Sequence, residues 1–239
     1  VALITQSERE LTTSEATLLN GLVERRLAGE PIAYIVGERE FFGLPFKVTP
    51  AVLIPRPDTE LLVELALERL APQQRLLDMG TGSGAIAVAA AHTRPDLAVT
   101  ALDVSDDALA IARMNAAANG ARVHFVRSDW FAGLGDARFD LIASNPPYIV
   151  AGDAHLSEGD LRFEPVDALT DHADGLSDLR TIVEGAGAHL TAGGWLLLEH
   201  GYDQAGAVSA LLTARGYGDV QSWRDLAGIE RVSGGRRGA

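Results

Sequence analysis

The sequence predicts a doubly wound α/β fold on a mostly parallel sheet of seven strands, and three observations carry that prediction. From Arg75 onward, short and almost wholly apolar runs alternate with helical stretches. A parallel sheet covered by helices on both faces asks for such runs, because its strands have no solvent side. The first run, "RLLDM" (75–79), passes straight into the glycine-rich "GTGSG" and then a helical stretch, the strand–turn–helix order of a ligand-binding sheet. The last two extended runs, "DVQSWRDL" (219–226) and "IERVSG" (229–234), have no helix between them, so they should pair antiparallel at one edge.

The elements follow in order. Between Leu11 and Ala28, apolar Leu18, Leu19, Leu22, Val23 and Leu27 recur at helical spacing, with Thr13 or Ser14 as the start and Gly29 as the stop. One amphipathic helix is too little for an independent core. "REFFGLPFKV" places two aromatic-rich runs around Gly43, a β-hairpin signal, and "AVLIPRPDTE" leads through Pro57 and Asp58 into the helix "TELLVELALERL". The chain therefore divides into an N-terminal helical segment (1–29), a structured β-hairpin connector (30–57) and the α/β domain (58–239). Within that domain "RLLDM" precedes the helix "AIAVAAAH", "AVTALDV" precedes the helix "SDDALAIARMNAAANG", and "VHFVRSD" and "FDLIASN" follow. Then come the helix "DLRTIVEGAGAHL", the strand "GWLLLEHG", the helix "QAGAVSALLTARG" and the final pair. No repeat interrupts this order, and the one biased tract is the basic, glycine-rich tail "GGRRGA" (234–239).

Composition bounds the function. A chain of 239 residues that is 47% hydrophobic can bury a core of moderate size. It has no cysteine, which excludes disulfides, thiolate nucleophiles and cysteine-ligated metals and fits a cytoplasmic location. The longest small apolar run, Ala85 to Ala91, is far below the ~20 residues of a membrane span, so no membrane association is expected. The six histidines show no metal-site spacing, and His200 beside Glu199 is expected in a loop. The formal charge of −13, with Lys47 the one lysine, opposes binding to a phosphate backbone, so no direct contact with DNA is expected.

In an open α/β sheet ligands sit beyond the carboxyl ends of the strands, so the residues just after each strand are the ones that matter. After the first strand, "DMGTGSGA" (78–85) offers Gly80, Thr81, Gly82, Ser83 and Gly84, a tight turn that lets a ligand approach the backbone at a helix N-terminus. Asp103 ends the second strand nineteen residues after Gly84, where a carboxylate can accept both hydroxyls of a ribose. This pair also satisfies the dinucleotide pattern G-x-G-x-x-A. Asp78 tilts the choice: a carboxylate beside the loop repels a pyrophosphate, whereas S-adenosylmethionine carries an ammonium and a sulfonium and no phosphate. Asp129 and Trp130, ending the third strand, suit an adenine, with an acid near its amino group and a ring against its face.

The fourth strand ends in "SNPPYI" (144–149). Two prolines remove two backbone donors and fix a rigid turn between Asn145 and Tyr148. The Asn145 side-chain oxygen can accept, the Pro146 carbonyl is held outward by the prolines at 146 and 147, and Tyr148 supplies a flat wall. Together they describe a receptor for a planar NH2 group, each N–H held by one acceptor and the nitrogen aimed at a methyl donor. An amide nitrogen is a poor nucleophile, so orientation and the two acceptors must carry most of the catalysis.

"NPPY" after the fourth strand, together with "DMGTGSG" after the first, resembles the class I (Rossmann-like) methyltransferases that act on planar nitrogen. "GEPIAYIVGEREFFGLPFKVTPAVLIPRPDTE" resembles the signature of the HemK/PrmC release-factor glutamine methyltransferases. So do "FEPVDAL...DGL" (163–176) and "LLLEHGYDQ" (196–204), and the resemblance spans roughly residues 29 to 239. It implies an S-adenosylmethionine-dependent enzyme that methylates the glutamine of the Gly-Gly-Gln motif in class 1 peptide chain release factors. By position, Asp78, Gly80 to Gly84, Asp103, Asp129, Trp130 and Asn145 are then expected at the cofactor, and Asn145, Pro146, Pro147 and Tyr148 at the glutamine. Members of that family have a longer helical N-terminal domain that contacts the protein substrate, so part of it is expected to lie outside this sequence, which begins at Val1. Three other readings stay open: an adenine-N6 nucleic-acid methyltransferase, which would add a basic face; a nicotinamide-dependent oxidoreductase, which leaves NPPY unexplained; and a non-catalytic cofactor-binding module.

Overall fold

The computed structural model describes residues 9–238; residues 1–8 of the N-terminal segment and Ala239 lie outside them. Helix α1 (Thr13–Leu27) is capped one residue before the start signals of its sequence. Thr12 caps it, its hydroxyl accepting from Glu15 N while the Glu15 side chain accepts from Thr12 N. No residue of α1 is buried, and Leu18, Leu19, Val23 and Leu27 remain exposed. The connector holds a five-residue helix, α2 (Ile32–Val36), that its sequence did not announce, ahead of the hairpin β1 (Glu38–Phe41) and β2 (Leu44–Lys47). Phe41 and Phe46 meet edge to face, their centroids 5.9 Å apart, and both are buried. The connector is thus part of the core rather than a tether.

After a 3-10 turn (Pro57–Thr59), α3 (Glu60–Arg69) leads into the α/β domain. There β3 (Arg75–Met79), α4 (Ala85–Thr93), β4 (Ala98–Asp103), α5 (Asp106–Ala118), β5 (Val123–Arg127) and β6 (Phe139–Ser144) follow one another. The chain continues through three 3-10 turns to α6 (Ser177–His189), β7 (Leu190–Glu199), α7 (Ala205–Ala214), β8 (Gly218–Arg224) and β9 (Glu230–Arg236). The seven-stranded sheet has the order β5-β4-β3-β6-β7-β9-β8. One apolar cluster fills the face under α3 and α4, with Leu76, Leu141 and Leu197 from the sheet. Another, with Leu77, Ile142 and Leu198, fills the opposite face under α6 and α7. Adjacent residues of one strand point to opposite faces, which is why these strands read as unbroken apolar runs.

The antiparallel pair at the sheet edge is present. Its last member, β9, lies inside, antiparallel to both β7 and β8. Gly234, Gly235 and Arg236 of the glycine-rich tail are therefore strand. A Cβ on Gly234 would come within 2.6 Å of Leu196 O, and one on Gly235 within 2.9 Å of Tyr217 Cβ. At Gly234 and Gly235 side chains are missing because the neighbours leave no room, not because the strand is loose.

Strand order reverses between β3, which continues to β4 and β5 on one side, and β6 on the other. At that switch point Asp78 pairs with Ala143 and Met79 with Ser144, and Ser144 in turn faces Leu198 of β7. The carboxyl ends of three adjacent strands thus bring the loop that follows Asp78 and Met79 beside Asn145 and Glu199.

Candidate functional site

The glycine loop after β3 takes its shape from three left-handed residues, Gly80 (φ 69°), Gly82 (φ 53°) and Gly84 (φ 86°). Gly84 caps α4 and packs on α5, where an added Cβ would lie 3.1 Å from Ala112 Cβ. Beneath the loop Asp78 is fully buried; its Oδ2 accepts from Thr81 Oγ1 (2.6 Å) and Ala87 N (3.1 Å), while Oδ1 has no partner among the described residues. Burial outweighs those donors and pushes its carboxyl up to about 7. Asp103 accepts from Gly82 N and from Ser105 N, one per oxygen and each at 2.9 Å, so each oxygen keeps a lone pair. Burial raises its pKa. Asn115 on α5 ties loop and connector together, bonding Lys47 N (2.7 Å), Lys47 O (3.0 Å) and Ser83 O (2.8 Å).

A cavity of about 400 Å³ opens over this loop, lined by Gly80, Thr81, Gly82, Ser83, Asp103, Asp129, Trp130, Asn145 and Pro147. Trp130 is half-buried in a left-handed conformation (φ 43°), its carbonyl accepting from Ser128 Oγ at 2.7 Å. Asp129 is exposed. Asp78 and Gly84 do not line the cavity: the first supports the loop from below, the second anchors it to the helix. A second cavity of about 200 Å³ is lined by Pro146, Tyr148, Ile149, Leu161 and Leu169. Asn145, Leu53, Arg56 and Ala168 line both, so Asn145 stands on the shared wall.

The Asn145 amide donates to Thr59 Oγ1 at 3.2 Å, leaving Oδ1 without a donor among the described residues. The Pro146 carbonyl likewise receives no hydrogen bond from them. Burial, the largest effect, raises the Tyr148 pKa, so its phenol stays protonated. The turn is clamped from behind: Gln204 Nε2 donates to Tyr148 O (3.0 Å) and Gly175 O (3.1 Å). A Cβ on Gly175 would strike Tyr148 O at 2.5 Å. Glu164 is buried, accepts from Ile54 N at 2.9 Å and pairs with Arg56. The stretches 163–176 and 196–204 thus brace the proline turn and the segment at Ile54 and Arg56.

Sequence reasoning did not single out Arg56, Thr59, Asp167 and Asp178, all of which line the larger cavity. Arg56 and Thr59 belong to "IPRPDT", where two prolines rigidify the backbone as they do in "NPPY"; that shared signal could have found them. Asp167 comes from the long segment between β6 and α6, which has no periodicity to place it, and Asp178 from the first turn of α6, where an acid reads as an ordinary helix-start residue.

Residues 57–159 match the Methyltransferase small domain family and residues 1–37 the PrmC N-terminal domain family. A release factor glutamine methyltransferase of Burkholderia pseudomallei is 55% identical over 98% of this chain and 85% of its own length. That of Neisseria gonorrhoeae is 52% identical over 99% and 87%, and that of Escherichia coli 48% over 96% and 83%. The chain belongs to the release factor glutamine methyltransferase family. Its fold is also that of a methyltransferase from Pyrococcus furiosus (TM-score 0.63, 23% identity, covering 90% of this chain and 98% of that one). A second structure of like fold is the E. cuniculi Mtq2–Trm112 complex, responsible for the methylation of the eRF1 translation termination factor (TM-score 0.57, 22% identity, covering 78% of this chain and 99% of that one).

The methyl donor of this methyltransferase is S-adenosylmethionine, and the larger cavity fits it. The charged side chains on its wall are Asp103, Asp129, Asp167 and Asp178 with Arg56 alone opposite them, and Arg56 is already paired with Glu164. Three of the loop amides are engaged within the protein: Thr81 N donates to Leu102 O, Gly82 N to Asp103 and Gly84 N to Thr81 O. An acceptor-lined cavity with its donors turned inward suits a cation. Among the described residues no helix is long and apolar enough to cross a membrane.

Proposed function

We propose that this methyltransferase modifies the side-chain amide nitrogen (N5) of the glutamine in the Gly-Gly-Gln loop of class 1 peptide chain release factors. The observation that carries this reading is the shared wall: Asn145 stands between the two cavities, and its Oδ1 and the Pro146 carbonyl are both unengaged. When bound, S-adenosylmethionine supplies an electrophilic methyl group on a sulfonium.

The chain's own residues do the rest. Asp103 holds the ribose hydroxyls, Trp130 and Asp129 the adenine, and the loop Gly80–Gly84, with Asp78 beneath it, the cationic end. Asn145 Oδ1 and Pro146 O take one N–H each of the glutamine amide, which fixes the plane of the nitrogen and its lone-pair direction. Both acceptors gain strength as the nitrogen becomes more acidic on forming its new bond. Tyr148 and Pro147 wall the amide and exclude water. The exposed leucines of α1 support assigning residues 1–29 to a substrate-recognition domain, with 30–57 joining it to the catalytic domain at 58–239. On the same reading the enzyme works in the cytoplasm.

The test is mass spectrometry of a release factor and a DNA duplex, each incubated with the protein and labelled cofactor. One methyl group on the Gly-Gly-Gln glutamine is expected. Label in DNA adenine with the release factor unmodified would overturn the assignment.

A further inference from the structure

Behind the proline loop lies a carboxyl that the chemistry above does not use. Glu199 ends β7, directly after Leu196, Leu197 and Leu198, and like them it is buried, at 1% exposure. Burial pushes its carboxyl up to about 7, only partly offset by the side chains of Thr59 and Tyr148 that face it; Asp58 raises it further and Arg231 lowers it. Its Oε2 has no hydrogen-bond partner among the described residues. An acid in such a place costs free energy, and apolar packing gives no reason for it.

Thr59 stands between Glu199 and the cavities. It is 4% exposed and receives the hydrogen bond from Asn145 Nδ2. A hydroxyl that has accepted on its oxygen still has one proton to give, and the acceptor facing it is Glu199. Passed on to Glu199, which the Thr59 side chain faces, that proton would make donation run one way, from Asn145 to Thr59 to Glu199. The direction matters because the two ends of a side-chain amide are nearly the same shape. Rotated by 180°, Asn145 would point an NH2 group at the NH2 of its target, and the pocket would lose an acceptor and gain a clash of donors.

We propose that Glu199, acting through Thr59, is a positioning residue that fixes the Asn145 amide with Oδ1 turned toward the nitrogen to be methylated. This deepens the preceding assignment and rests on the smaller cavity being the glutamine pocket. Arg231, held by Asp225 (3.2 Å) and Asp58 (3.5 Å), keeps positive charge near the carboxyl without hydrogen-bonding it.

Thr59→Val keeps the shape and removes the hydroxyl, whereas Thr59→Ser keeps the hydroxyl. With a release factor as substrate, Thr59→Val should lower kcat about tenfold or more while KM and cofactor Kd stay within about threefold, and Thr59→Ser should restore most of kcat. Glu199→Gln, which retains an acceptor oxygen, should resemble Thr59→Ser, and Glu199→Leu should resemble Thr59→Val. A second readout needs no substrate: exchange of the Asn145 side-chain amide protons, followed by NMR, should quicken about tenfold in Thr59→Val as the hydrogen bond is lost. Wild-type kcat in Thr59→Val, a Thr59→Ser as slow as Thr59→Val, or unchanged exchange would each overturn the proposal. If the wild-type protein instead leaves the release factor unmethylated, the substrate assignment fails while the exchange measurement still decides the role of Thr59.

Discussion

The glycine loop after β3 and the proline loop after β6 sit side by side at the switch point of one sheet, and they reach a similar chemical end by opposite means. The glycine loop keeps its backbone donors and turns those of Thr81, Gly82 and Gly84 inward, onto Leu102, Asp103 and Thr81. The proline loop deletes its donors at Pro146 and Pro147. One is made possible by left-handed backbone that only glycine adopts cheaply, the other by a φ that proline locks. Both leave a wall of acceptors: carboxylates over the first loop, an amide oxygen and a carbonyl at the second. A site made of acceptors selects what it holds by hydrogens and positive charge, and a sulfonium cofactor and an NH2 group share that property.

Four changes sharpen the comparison. The largest effect is expected at the proline loop, where Asn145→Ala removes one of two orienting acceptors. Turnover should fall by about two orders of magnitude or more, with cofactor affinity within about threefold; near-normal turnover would remove Asn145 from the substrate pocket. At the glycine loop the pattern should invert. Asp103→Ala is expected to weaken cofactor binding by about 1–3 kcal/mol, read by calorimetry, because it strips an acceptor from Gly82 N and Ser105 N as well as from the ligand. Gly84→Ala should cost about 1–3 kcal/mol in denaturant melts, since alanine must take φ 86° and crowd Ala112. Unchanged stability there would mean that the loop can adopt another backbone.

The smallest effect concerns pH. Asp78 has a folded pKa raised from 3.8 to about 7, so the fold favours its protonated form. Its contribution is fully present below the unfolded value and is lost as pH rises through 7. Asp78→Asn cannot ionise, so its stability relative to wild type should grow by about 1–2 kcal/mol between pH 5 and pH 6.5. Glu199, raised for the same reason, gives the wild-type protein a slope of the same sign. A pH-independent difference between Asp78→Asn and wild type would mean that Asp78 is ionised throughout.

The parts of this architecture that the sequence announces are those where a single residue type is the cause. Glycine at 80, 82 and 84, paired prolines at 146 and 147, and an acid closing β4 each have a local physical reason, and their strands read as apolar runs for a local reason too. The rest depends on who the neighbours are. Helix α2 is too short to show a period. Gly234 and Gly235 look like a flexible tail until Leu196 and Tyr217 are seen against them. His200, read as a loop residue, does follow the end of β7, yet it is fully buried with Nε2 at 2.8 Å from Ser233 Oγ. Thr59 gains its significance only when α3 brings it between Asn145 and Glu199, which are 54 positions apart in a 239-residue chain.

The placement of β9 bears on how the protein is made. Every residue lining the two cavities falls between Ala51 and Asp178, so a growing chain carries the cavity walls, and then Glu199 and Gln204 behind them, before it carries Glu230–Arg236. Until that last segment emerges, Trp195 to Glu199 present an unpaired strand edge, and β8 has no hydrogen-bonding neighbour in the sheet. Apolar strand edges of this kind are where nascent proteins misassociate. The narrow, glycine-bearing β9 is thus made after both of the strands between which it lies, and the residues that line the cavities precede all three along the chain.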